Sequence, residues 1–168
     1  MHFDDRLGTV LRLRADGAAL QRVQLRQLLD LLGTLPAEAR SDQIDAAFVR
    51  LGNLAKAIPP GERAAMLRDT GLRLRSPRLV AALAAMEPDV AHAALTRAQL
   101  GEEQWIDLIP ALPASARGHI RARHNLPASI SDLLARLGVH GHGLPPAVAG
   151  VMAFPEATES ARAAPAPE

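Results

Sequence analysis

The sequence predicts an all-α protein: short antiparallel helix pairs, stacked either as an irregular HEAT-like α-solenoid or as a compact helical bundle. Three observations predict it. Alanine (33) and leucine (26) make up 59 of the 168 residues, while aromatic residues reach only 2%. Helices favour the first pair, and sheets favour the β-branched and aromatic residues that are scarce here. Apolar residues recur at i, i+3, i+4, i+7, the spacing of one helix face, and no stretch alternates strictly over six or more residues. Finally, a leucine or isoleucine followed by proline punctuates the chain at Leu35-Pro36, Ile58-Pro59, Leu112-Pro113 and Leu126-Pro127. Proline suits a first helical turn, where its missing N–H has no partner to lose.

Each element follows in order. A first helix over 3–14 opens with Asp4 and Asp5. A second, over 18–33, carries Leu25, Leu28, Leu29 and Leu32 on one stripe. A third, over 37–57, opens at Pro36 and runs its stripe through Ile44, Ala47, Phe48, Leu51, Ala55 and Ile58. The fourth covers 60–69 after Pro59-Pro60. Leu72-Arg-Leu-Arg75 alternates for four residues, as does Leu11-Arg-Leu-Arg14, and both are too short for strands. The fifth helix, 77–86, has Ser76 as N-cap and Pro77 behind it, and the sixth, 88–98, starts at Pro88. The seventh, 102–111, bears Trp105, Leu108 and Ile109, with Leu112 just beyond. The eighth covers 114–124. The ninth, 128–138, bears Ile130, Leu133, Leu134 and Leu137. The Leu/Ile-Pro marks lie 23, 54 and 14 residues apart, so no constant repeat separates solenoid from bundle. Residues 1–139 read as one helical sensory or interaction domain. Residues 140–168 read as a Gly/Pro/Ala-rich linker or tail in which Ala147–Phe154 is a candidate docking segment.

Charge and motifs exclude several function classes. Nineteen basic residues oppose eighteen acidic ones, so no global field favours nucleic acid or an anionic membrane. Eighteen of the bases are arginine, which reads chiefly as codon bias. Without cysteine there is no disulfide, thiolate chemistry or thiolate zinc site. No signal peptide or membrane span is evident, and the cytoplasm is the expected location. No Gly-x-Ser-x-Gly elbow or phosphate-binding glycine loop occurs. No cofactor and no metal site is expected. His119 and His124 are five apart and do not share a helix face, and His2 and His92 have no neighbouring partner in sequence. His140 and His142 flank one glycine and read as solvated loop residues. Glu102, Glu103 and Asp107 cluster, and Glu103 and Asp107 share a face. Two of the three sit at a helix N-terminus, where the dipole favours negative charge, and catalysis would require a pocket that splits their pKa values.

One asymmetry is basic. Between Leu108 and Pro155 the only acid is Asp132, against Arg117, Arg121, Arg123 and Arg136. Arg117, Arg121 and His124 fall at i, i+4, i+7. Together with Arg123 they form a candidate face for an acidic partner. Trp105 reads as core, or as an interface anchor. Single-stranded nucleic acid is disfavoured, because stacking needs aromatic residues.

Three strings occur together: Leu72-Arg-Leu-Arg-Ser-Pro-Arg-Leu-Val80, Gln104-Trp-Ile-Asp-Leu-Ile-Pro-Ala-Leu-Pro113, and Ala116-Arg117 with the basic run through His124 to Asn125-Leu-Pro127. This combination, across about residues 1–140, resembles the helical, HEAT-like N-terminal region that precedes the catalytic core of certain alphaproteobacterial sensor histidine kinases. The resemblance implies a non-catalytic input module that binds a signal or partner and biases a kinase joined through the tail. It carries no catalytic residue over. The phospho-accepting His box and the ATP-binding boxes are not in this chain, so the kinase core would lie beyond residue 168. Two rivals stand beside it: a free-standing adaptor that binds an acidic protein through the arginine face, and an enzyme built on Glu103 and Asp107.

Overall fold

A computed structural model of the chain describes residues 3–139. The expected tail over 140–168, including Ala147–Phe154, lies outside them. Among the described residues there are nine α-helices, one 3-10 turn and no strand. The helices are α1 (Phe3–Arg12), α2 (Ala18–Gly33), α3 (Asp42–Ala57), α4 (Pro60–Leu67), α5 (Pro77–Ala84), α6 (Pro88–Arg97), α7 (Glu102–Leu108), α8 (Ala114–Arg121) and α9 (Ala128–Arg136). The 3-10 turn, Ile109–Ala111, follows α7 directly.

The predicted helices are all present, with shifted ends. Pro36 does not open α3. It begins a turn closed by the Ala39 N–H on the Pro36 carbonyl (3.2 Å), and the helix starts where Ser41 Oγ accepts the Ile44 N–H (3.2 Å). A side-chain cap and acids at Asp42 and Asp45 outweigh the proline. Ser76 Oγ caps α5 as predicted, accepting the Leu79 N–H (3.3 Å). Helices α4, α5, α8 and α9 stop two to three residues early. Their last turns tighten to i→i−3 bonds, as in Arg68 to Ala65, Met86 to Leu83 and Arg123 to Ile120.

Helices in extensive contact are one or two apart in chain order: α1 with α2 and α3, α2 with α3, α4 with α6, α5 with α6 and α7, α6 with α8, and α7 and α8 with α9. That nearest-neighbour pattern belongs to stacked helix pairs. At its centre α6 meets α4, α5 and α8, and alanines 91, 93 and 94 let the three approach closely. One continuous core runs through the stack, from Leu7 on α1 to Leu134 on α9. Leu25, Leu28, Leu29 and Leu32 are all buried, as their spacing predicts. Burying each such side chain contributes roughly 1.5–3 kcal/mol, more than a single cap or surface ion pair.

Between α3 and α4 the stack has a seam. Arg22 on α2 pairs with Glu62 on α4, Arg26 with Asp69, and Arg78 on α5 with Asp45 on α3. The alternating Leu72–Arg75 segment stitches the same seam. Leu72 and Leu74 point inward, Arg73 and Arg75 outward. The Arg75 N–H donates to the Gly33 carbonyl (2.8 Å), and the Leu74 carbonyl accepts the Gln99 N–H (2.7 Å). Gly33 is required here, because a Cβ would lie 2.1 Å from the Arg73 carbonyl oxygen.

Candidate interaction surfaces

The arginine stripe is divided by the fold. Arg117 is half-buried. Its Nε donates to the carbonyls of Ile109 and Leu112 (both 3.1 Å) and its Nη2 to Pro110 (2.9 Å), closing the open end of α7 and the 3-10 turn. Arg123 does the same for α6. Its Nη1 donates to the Leu95 and Thr96 carbonyls and its Nη2 to Ala98 (2.9 Å). Its guanidinium also lies 5.1 Å from the Trp105 ring centroid, within cation–π range. Burial lowers the Arg123 pKa from its ordinary value, yet guanidinium stays charged in proteins. Trp105 is 4% exposed and belongs to the core. Arg121 is exposed and reaches the Val139 carbonyl (3.0 Å), and His124 is exposed. Of the five residues predicted to meet a partner, Arg121 and His124 therefore remain on the open surface. Three stabilise the helix stack from inside.

Other long polar side chains repeat this use. Gln24, 1% exposed, donates to the Val10 and Leu13 carbonyls at the end of α1 (2.8 and 3.0 Å) and accepts from Arg50. Arg63, 4% exposed, donates to Ile58 at the end of α3 (2.9 Å) and to Glu87 (2.7 Å). That Arg63 hydrogen bond is the main cause holding the Glu87 carboxyl below its ordinary pKa.

Glu103 and Asp107 both stand exposed on α7. Glu102 accepts a hydrogen bond from Ser129 on α9. Among the described residues no group of three or more His, Cys, Asp or Glu is placed to hold a metal ion, and no helix is long and apolar enough to cross a membrane.

Sequence reasoning missed two features. The first is an exposed apolar pair on α2. Leu20 and Val23 lie at i, i+3 on the side away from the Leu25–Leu32 stripe, and the polar Gln27 and the buried Leu31 follow them along the helix. Leu20 and Val23 are 52% and 51% exposed. Beside them a groove of about 350 Å³ opens between α1 and α2, lined by Asp5, Arg6, Thr9, Val10, Gln27, Asp30 and Leu31. The signal was present in the spacing, but the stronger leucine stripe masked it. The second is a histidine pair. His92 on α6 and His119 on α8, 27 residues apart, bring their Nδ1 atoms to 3.3 Å. Partial burial, and then the charge of His92, lower the His119 pKa. Only the packing of α6 on α8 creates this pair.

Compared with protein-family models, curated proteins and solved structures, the chain matches none.

Proposed function

We propose that this helical stack is a non-catalytic interaction module whose partner-facing surface is the outer face of α2 with the adjoining α1 groove. The observation that carries the reading is the exposed pair Leu20 and Val23, one helical turn before Gln27 at the groove, whereas the other exposed large apolar side chains, among them Leu13, Val49, Ile106 and Leu137, fall singly along the chain. Exposed apolar side chains gathered beside a concavity are the usual mark of a docking site. Asp5 and Asp30 against the single Arg6 at the groove favour a partner segment with an apolar anchor and a basic flank.

The resemblance of the Leu72–Val80, Gln104–Pro113 and Ala116–Pro127 strings to the region ahead of sensor histidine kinase cores supplies the partner class: a kinase core, in the same chain or another. Binding biases such a kinase only if the partner has different affinity for its two conformations. The rival adaptor reading keeps Arg121 and His124 as its contacts.

A photo-cross-linking residue placed at position 23, or separately at position 121, tests this in the source cell. The expected result is a discrete cross-linked species from position 23 that contains kinase-core peptides, and none from position 121. Cross-links from 121 alone would establish the arginine-face adaptor instead. A species from 23 without kinase peptides would keep the surface and remove the kinase assignment.

A further inference from the structure

We propose that His92 and His119 form a two-imidazole site for a first-row divalent transition ion, zinc being the natural occupant, clamping α6 to α8. The argument is one of bite. A tetrahedral zinc with Zn–N bonds of about 2.0–2.1 Å holds two ligating nitrogens about 3.3–3.4 Å apart and the two imidazole centroids about 5.2 Å apart. The Nδ1 atoms lie 3.3 Å apart and the ring centroids 5.0 Å apart. Rings meeting head-on through one shared proton, at the same nitrogen separation, would put the centroids about 5.6 Å apart, so the observed spacing lies nearer the chelating arrangement.

The surroundings agree. His92 is exposed and His119 half-buried, so an ion reaches the pair from solvent and water completes its coordination. Each histidine sits inside a helix, on a backbone fixed by the α6·α8 packing, so the spacing is built before the ion arrives. Imidazole nitrogens select zinc, copper, nickel or cobalt over magnesium and calcium, which take oxygen ligands. Without an ion, one Nδ1–H donates to the other Nδ1. With the ion bound, both rings carry their proton on Nε2.

The experiment uses the full-length, tag-free chain carrying His140→Ala and His142→Ala, which removes the His-Gly-His sequence as a competing chelator. Zinc chloride is titrated and the melting temperature recorded. An ion held between two helices binds only the folded state. At hundredfold excess over its dissociation constant it raises the melting temperature by roughly 5 °C or more. The rise is expected in this background and lost in His92→Ala, and again in His119→Gln, each read against its own metal-free melting point. His92 is exposed, so its alanine variant keeps the fold. No rise in the background chain, or a rise that persists in both variants, overturns the site.

Discussion

The two sides of the seam solve the same problem with different materials. From α1 to α3 the stack rests on length: α2 and α3 run 16 residues each, and a leucine stripe covers most of each inner face. From α4 to α9 the six helices run only 7 to 10 residues. Every helix leaves about four carbonyls without helical partners at its C-terminal end, so short helices carry more open carbonyls per residue. The chain answers with guanidinium groups. Arg97, Arg117 and Arg123 donate to backbone carbonyls beyond α4, α7 and α6, and Arg63 reaches back to the end of α3, whereas α1 is closed by the amide of Gln24. The difference teaches that Arg63, Arg117 and Arg123 serve helix ends. A planar donor fork reaches two or three carbonyls at once, which a lysine ammonium does less well.

The largest effect that sharpens this comparison is at the seam. Gly33→Ala drives a Cβ against the Arg73 carbonyl, and a loss of about 3 kcal/mol or more is expected in urea unfolding. Gly52→Ala, in the middle of α3 with nothing within 4 Å of the new methyl, is expected to gain about 0.5–1 kcal/mol instead. Equal effects at the two positions would remove the backbone approach as the reason for Gly33.

Next come the end caps on either side. Arg63→Met leaves the Ile58 carbonyl without its donor in a buried setting, and a loss of about 2–4 kcal/mol is expected. Gln24→Leu leaves the Leu13 carbonyl without its donor and the Val10 carbonyl with the Leu13 N–H alone, for about 1–3 kcal/mol. Hydrogen exchange reports where each acts. Arg63→Met should expose amides on both sides of the seam, and Gln24→Leu only those of α1 and the start of α2. Identical exchange patterns would contradict a division into two halves.

The smallest effects belong to the seam's ion pairs, which are largely exposed. The Glu62 carboxyl is held below its ordinary pKa chiefly by the hydrogen bond from Arg22. Asp69 is held down first by the Gly71 N–H and then by Arg26. A depressed folded pKa gives stability that is present above the unfolded value and lost as pH falls through the folded one. The melting temperature should therefore fall on acidification below about pH 4.5, the ordinary glutamate value. Arg22→Met should flatten part of that fall, and 0.5 M salt should shrink the difference between variant and parent. A salt-independent difference would mean the pair acts through packing.

Much of this was legible in the residues, and the failures share a cause. Leucine spacing placed the helices and the core, and Ser76 announced its cap. Pro36 misled, because a proline permits a helix start without enforcing one, while Ser41 five residues later supplies the hydrogen bond that does. Arg117 groups with Arg121 and His124 because helical spacing says which residues share a face, and Arg123 joins them as part of the same basic run. Spacing does not say which carbonyls of another helix lie within reach. His92 and His119 paired for the same reason: their contact exists only once α6 packs on α8. The exposed pair on α2 was readable from the spacing of Leu20 and Val23, but two residues form no stripe of their own beside the stronger Leu25–Leu32 one.

The central claim is that the fold uses Arg123 as an internal clamp and leaves Arg121 on the surface. Urea unfolding of Arg123→Met and Arg121→Met, side by side, tests it most directly. The clamp predicts a loss of about 2–4 kcal/mol for Arg123→Met, which takes the donors from three carbonyls at the end of α6. It predicts a change within about 0.5 kcal/mol for Arg121→Met. Two small and equal changes would contradict it, and would return Arg123 to the candidate partner face beside Arg121 and His124.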